Sequence, residues 1–152
     1  MAIIWHTPPD LKQLNDRGKN TAVEQLGIVI TEIGDDYLMG TMPVDQRTIQ
    51  PMGLLHGGAS VLFAESLGSI AANYCVQRDN YFCVGMEINA NHIRGVRDGV
   101  VTGIARPLHL GGTTQVWEIK ITNQQDQLVC VARLTMAVVK KNQQQSANEN
   151  QV

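Results

Sequence analysis

Between Thr48 and Gln77 the only Asp, Glu, Lys or Arg is Glu65, in a stretch dominated by Gly, Ala, Ser, Leu, Ile and Val. An exposed helix would carry several charges and a core helix none, so a lone carboxylate calls for a chemical reason. His56-Gly57-Gly58 opens the same segment. A helix start has unpaired N–H groups and a partial positive charge. Glycines there let a bound group approach the backbone without meeting a Cβ. The entry lacks the usual Ser, Thr, Asp or Asn cap, so its donors are expected to stay open. Such donors stabilise the oxyanion that forms when a nucleophile adds to an acyl carbon. A carboxylate can be that nucleophile, or the base that takes a proton from water. Attack on a thioester carbonyl is chemistry that both features serve.

Each feature also has a plainer reading. The His-Gly-Gly run makes a tight turn, and Glu65 can be a structural carboxylate paired with a distant arginine. Ser69 lies four residues after Glu65 and shares its helix face, where it either orients a reactant or fills space. Burial among apolar neighbours raises a carboxylate pKa, whereas donors such as Ser69 or Gln50 lower it. The sequence leaves that balance open.

One spacing argument is independent of these choices. Gly57 and Glu65 are eight residues apart, or roughly 12 Å along a helix axis. One carbonyl carbon cannot lie within about 3 Å of both. If both act on one thioester, Gly57 and Gln50 come from one protomer and Glu65 and Ser69 from another. The expected assembly is therefore an obligate homodimer at least.

The elements that must position these residues are legible from periodicity. Residues 10–26 predict one or two short helices, with Gly27 as a stop. Residues 28–33 and 37–44 predict two strands joined by Gly34-Asp35-Asp36. A loop over 45–55 leads into a helix over 57–76 that is apolar nearly all round, hence buried on nearly all sides. Small residues at 64, 66, 68, 69, 71 and 72 let other backbones come close. Segments 82–94, 99–110, 113–122 and 128–139 predict four strands with short breaks, for which a meander is the natural connection. The fold class is α+β, a curved antiparallel sheet around one long central helix. A single domain is expected over residues 1–139, with 140–152 as a disordered polar tail.

Bulk properties narrow the function. A net charge of -2 offers no basic field for nucleic acid or an anionic membrane. No apolar run approaches the roughly 20 residues of a membrane span, and the N-terminus lacks the pattern of a signal peptide. The three cysteines, Cys75, Cys83 and Cys130, are odd in number and have no CxxC spacing. They read as free core thiols in a cytoplasmic protein. His56, His92 and His109 come from separate elements without ligand spacing, so no metal is expected. His92 and Arg94 alternate on one strand face, and Arg suits phosphate. The plainer reading is a solvated strand end, and Arg97, Arg106 and Lys120 could serve the same purpose. Trp117 reads as a core or interface residue.

The order strand–strand–helix–four strands, with His-Gly-Gly opening the helix, resembles the hotdog-fold acyl-CoA thioesterases. The stretches that carry the likeness are "MPVDQRTIQPMGLLHGGASVLFAESLGS", "VGMEINANHIR" and "PLHLGGTTQVWEI". They look most like the branch containing the 4-hydroxybenzoyl-CoA and phenylacetate-pathway enzymes. The resemblance implies that Glu65 is the catalytic carboxylate and that the Gly57 N–H polarises the thioester carbonyl. It implies that Gln50, His56 and Ser69 orient substrate and water. Gly85, His92, Arg94 and the run His109, Leu110, Gly111, Gly112, Thr113 and Thr114 match regions that contact substrate and coenzyme A. It further implies a homotetramer and no cofactor, coenzyme A being part of the substrate. Relatives often have Arg where this chain has Gly112 and Pro where it has Gly95. The first departure removes a phosphate contact. Two other readings use the same residues: a dehydratase of 3-hydroxyacyl thioesters, and a non-catalytic acyl-CoA-binding module.

Overall fold

The computed structural model describes residues 2–142. Two short helices, α1 (Leu11–Arg17) and α2 (Ala22–Gln25), precede strands β1 (Val29–Ile33) and β2 (Leu38–Pro43). Asp10 caps α1 through the Gln13 N–H, and Thr21 caps α2 through the Val23 N–H. Gly27 then reverses the chain at φ +69, a left-handed conformation that favours glycine. The long helix α3 (Gly57–Tyr74) follows, ending two residues before the expected limit. Strands β3 (Tyr81–His92), β4 (Val100–Leu110), β5 (Thr114–Thr122) and β6 (Leu128–Lys140) complete the chain. Lys140 therefore closes a strand, and the Lys141 N–H donates to the Asn80 carbonyl at 2.7 Å. Residues 140 and 141 of the expected tail are thus tied to the sheet and its neighbouring turn, and its residues 143–152 lie outside the described residues.

All six strands form one antiparallel sheet in the order β1-β2-β4-β5-β6-β3. The expected meander holds for β4, β5 and β6 but not for β3. Residues 93–99 do not turn back in a tight hairpin. They cross the entry of α3, where the Val96 carbonyl accepts the Leu55 N–H at 2.7 Å and the Gly99 carbonyl accepts the Val44 N–H at 2.8 Å. This crossing delivers β4 to the side of β2 and leaves β3 at the far edge, paired only with β6. Short two-residue turns favour neighbouring strands, and this connection is too long to impose that.

The sheet curves over one side of α3. Phe63, Ala64, Leu67 and Ala72 are fully buried in one core cluster with Trp117, Ile119, Ile121 and Leu134. Each large side chain in this layer contributes about 1.5–3 kcal/mol from the area it removes from water. Close approach is a condition of the packing: a Cβ on Gly68 would lie 2.6 Å from Leu134 Cδ2. Trp117 is core, with its indole N–H donated to the buried Gln115. The opposite face of α3 differs from expectation. Leu62, Glu65, Ser66, Ser69, Ile70 and Asn73 are only half-buried, so the chain encloses the helix on one side alone.

The two sheet edges are treated differently. On β1, Asn15 of α1 pairs with both backbone groups of Ile30 at 2.9 Å. On β3, Asn73 of α3 accepts the Cys83 N–H at 2.8 Å and donates to the Cys83 carbonyl at 3.2 Å. Beyond Cys83 the outer edge of β3 has no strand partner among the described residues, and Val84 and Met86 are exposed there. No helix among the described residues is long and apolar enough to cross a membrane.

Candidate active site

The loop before α3 is a narrow irregular hairpin. Ile49 bridges Leu55, the His56 N–H donates to the Thr48 carbonyl at 2.8 Å, and the Gln50 N–H donates to the Leu54 carbonyl at 2.8 Å. The buried Thr48 hydroxyl donates to the Pro43 carbonyl at 2.7 Å, which ties the hairpin to the end of β2. Gln50 sits at the turn, its side-chain oxygen accepting the Met52 N–H. The helix entry is thereby held from both sides.

His56 corrects one expectation. The entry is capped, by His56 itself: its Nδ1 accepts the Gly58 N–H at 2.8 Å. An accepting Nδ1 places the imidazole proton on Nε2, so the same ring caps the helix and offers a donor outward. The Gly57 N–H finds no acceptor among the described residues. One entry donor is thus occupied and another is open. A Cβ built on Gly57 would lie 2.9 Å from His92 Nε2, so the end of β3 stands directly against the helix entry.

Two turns further on, the surroundings change. Glu65 is half-buried, and a Cβ on Gly85 would lie 2.7 Å from its Oε1 and 4.0 Å from Met136 Sδ. The absent side chain is what lets the carboxylate lie against β3, at a bulge between Gly85 and Glu87. The Ser69 hydroxyl lies 3.8 Å from Met136 Sδ, a weak acceptor that leaves it available to a reactant. Glu65, Ser69, Leu62, Ser66, Ile70 and Val23 line an open cavity of about 370 Å³. Ser69, Ile70 and Val23 also line a larger cleft of about 1130 Å³ between α1–α2 and the C-terminal half of α3. Arg17 and Arg78 stand among its polar lining.

The candidate residues thus fall into two groups. His56, Gly57 and His92 meet at one end of β3, with Gln50 in the loop beside them and Arg94 just past the strand end; Glu65, Ser69 and Gly85 meet toward the other. Seven residues of strand separate Gly85 from His92, or roughly 23 Å. The run His109–Thr114 forms the β4–β5 tip, where the Val138 N–H donates to the Thr113 carbonyl and Thr114 pairs with Ala137, itself opposite Val84. It belongs to the Gly85 end. Arg94 is exposed and has no ion-pair partner among the described residues. Sequence reasoning missed Met136 and Asn73. Asn73 had a signal, since it lies eight residues after Glu65 on the same helical face.

The cysteines offer no competing nucleophile. Burial pushes the Cys75 thiol up to about 12 and Cys83 to about 11, and raises Cys130 as well. Among the described residues no three His, Cys, Asp or Glu side chains converge as a metal site would require.

Comparison with known proteins places the chain in a family. The thioesterase superfamily pattern matches residues 52–130. The 1,4-dihydroxy-2-naphthoyl-CoA hydrolase of Escherichia coli is 50% identical over 137 residues, which cover 90% of this chain and 100% of that one. A proofreading thioesterase of Cronobacter sakazakii is also 50% identical, over 90% of this chain and 99% of its own. The crystal structure of a mutant thioesterase from Pseudomonas aeruginosa superposes with a TM-score of 0.90 at 53% identity, covering 91% of this chain and 99% of the other. A thioesterase structure from Haemophilus influenzae gives 0.88 at 47% identity, covering 90% and 95%.

Proposed function

The chain belongs to the thioesterase superfamily and has its hotdog fold, and from that premise we propose that it hydrolyses an aromatic or polycyclic acyl-CoA at a site shared by two protomers. The products are the free acid and coenzyme A. The substrates that fit the reading are hydroxybenzoyl-CoA and 1,4-dihydroxy-2-naphthoyl-CoA, the second because a relative at 50% identity bears that name. It would place the enzyme in menaquinone biosynthesis.

The observation that carries the reading is the placement of the two half-sites on one bare strand edge. Gly57 stands at His92, Glu65 stands at Gly85, and the outer edge of β3 between them is unpaired. Two copies of β3 pairing antiparallel about Ile88–Asn89 set His92 of one chain opposite Gly85 of the other. The same operation brings the Gly57 N–H of one chain over Glu65 of its partner, and it covers Val84 and Met86. A two-fold axis makes the arrangement self-complementary, with two equal sites. His92 and Arg94 of one chain then join the His109–Thr114 tip of the other, one surface for coenzyme A. The resemblance carries assembly on to a tetramer.

In such a site the thioester oxygen accepts the Gly57 N–H at the positive end of α3. Charge that develops on that oxygen meets a fixed donor and dipole with no reorganisation. Glu65 of the partner either draws a proton from water as water attacks, or attacks the carbonyl itself. Each route passes through its own tetrahedral oxyanion, carrying a hydroxyl in the first and the Glu65 acyloxy group in the second, and in both the charge falls on the oxygen that Gly57 holds. The Ser69 hydroxyl steadies the carboxylate or the water, and the acyl group extends along the cleft beside Ile70 and Val23.

The test is thiol release from a panel of benzoyl, hydroxybenzoyl, dihydroxynaphthoyl and aliphatic CoA esters, with wild type and Glu65→Gln. Turnover of an aromatic ester is expected to fall by about 10²-fold or more in the variant. Unchanged rates would remove Glu65 from the mechanism. Single turnover in ¹⁸O-water then separates the two routes, because label enters Glu65 only by way of an anhydride.

A further inference from the structure

We propose that His92 is a catalytic residue for departure of the thiol, donating a hydrogen bond from Nε2 to the coenzyme A sulfur as the C–S bond breaks. The proposal rests on the reading of Gly57 as the donor that holds the thioester oxygen. It goes beyond contact with the coenzyme, because it assigns the ring to one atom and one step.

Three observations carry it. The atoms of His92 nearest a Cβ on Gly57 are Nε2 at 2.9 Å, Cε1 at 3.2 Å and Cδ2 at 3.3 Å, so the ring presents its Nε2 edge to the helix entry. In a helix both the N–H and the Cα–Cβ direction lean toward the N-terminus. A ring that fills the missing Cβ position therefore stands on the side toward which the Gly57 N–H points. Secondly, the His92 side chain has no hydrogen-bond or ion-pair partner among the described residues, so its donor is uncommitted. His56, by contrast, spends Nδ1 on the Gly58 N–H. Thirdly, Arg94 follows two residues later, exposed and unpaired. If Arg94 meets a phosphate of the coenzyme, the pantetheine arm passes His92 on its way to the carbonyl. The substituent of the held carbon on that side is sulfur, while the acyl group leaves toward the partner's Glu65.

The step balances without another reactant. Water gives its oxygen to the carbonyl carbon and a proton to Glu65. The tetrahedral intermediate collapses, the C–S bond breaks, and its electron pair goes to sulfur. The His92 N–H stabilises the thiolate formed there. After release the thiolate takes a proton, which Glu65 has returned to solvent, so the net change is thioester plus water to acid plus thiol.

The experiment varies the leaving group. Two hydroxybenzoyl thioesters are compared, one of N-acetylcysteamine and one of nitrothiophenol, whose thiolate is far more stable. Neither carries the phosphates of coenzyme A, so phosphate contacts drop out. In His92→Leu, kcat/KM for the N-acetylcysteamine ester is expected to fall by about 10²-fold, the usual scale for one preorganised donor. The nitrothiophenol ester should lose less than about threefold, because little charge on its sulfur needs help. His92→Gln, which restores an N–H donor, should recover part of the loss on the first ester only. Equal losses on both esters, or no loss on either, would overturn the proposal. Glu65→Gln run beside them keeps the two readings apart: if it leaves both esters unaffected, the underlying thioesterase site is wrong whatever His92 does.

Discussion

The entry of α3 and the helix two turns later are one rigid element with opposite chemistry. At the entry, donors are gathered without an acid: Gly57 offers an unpaired N–H, and the rings of His56 and His92 flank it. At Glu65 an acid lies against Gly85, with the Ser69 hydroxyl four residues on and the thioether of Met136 beyond. A flexible loop could fold one group onto the other. A helix cannot, since its rise holds them roughly 12 Å apart. Half-sites on an unbending element can act on one substrate only if they come from two chains, and the shared site proposed above puts the two-fold axis at the bare β3 edge.

The sharpest way to break this comparison is to inactivate each half separately. Glu65→Gln and Gly57→Val should each be nearly inactive as pure proteins. Mixed after mild dissociation, they should recover activity toward about a quarter of wild type, because half the dimers are mixed and each holds one intact site. No recovery in verified mixed dimers would place both groups in one chain's site.

A smaller effect is expected at the acid half. Gly85→Ala puts a methyl 2.7 Å from Glu65 Oε1, so the carboxylate must move. The kcat should fall by about 10-fold to 100-fold, as for small misplacements of a catalytic group, with little change in melting temperature. A variant with wild-type kcat would show that the contact with β3 does not set the carboxylate.

Gly112 gives a milder test on the proposed coenzyme surface. A Cβ there meets nothing within 4 Å, so Gly112→Arg costs no packing. It should lower KM for CoA esters several-fold through one added phosphate contact and leave kcat unchanged. A KM shift equal for the N-acetylcysteamine ester would rule out a phosphate as the cause.

The smallest effect concerns the far end of α3. Burial holds the Cys75 thiol at about 12 and Cys83 at about 11 in the folded chain. Both values lie above the roughly 8.5 of a free thiol, so the folded state retains protons that the unfolded state releases. Stability from this source is complete below about pH 8.5 and is lost as pH rises through 11 to 12. Cys75→Ala should flatten the alkaline side of a pH–melting curve slightly. The raised values also predict that these thiols react slowly with the thiol reagent of the activity assay at pH 8.

Much of the molecule was readable from residue order. The period change after Gly27, the lone Glu65 and the small residues of α3 each report a local preference or a nearest-neighbour packing demand. The place of β3 was not readable, because strand order depends on where residues 93–99 cross, and nothing local marks a crossing. The His56 cap was missed because histidine is an uncommon cap, and only the ring's rotation makes it one. Gly85 was named for substrate contact, yet its structural neighbour is Glu65, on another element twenty residues earlier.

What the sequence determined alone was the element list, the sign and solitude of the carboxylate, and the helical distance that separates it from Gly57. Those follow from covalent spacing and hydrophobic period, which any fold must respect. The tertiary structure decided which strand lies at the edge, that His92 meets Gly57, and that Glu65 rests on Gly85. Such choices arise when distant segments compete to bury surface and pair backbone groups, and no short stretch of chain contains both competitors.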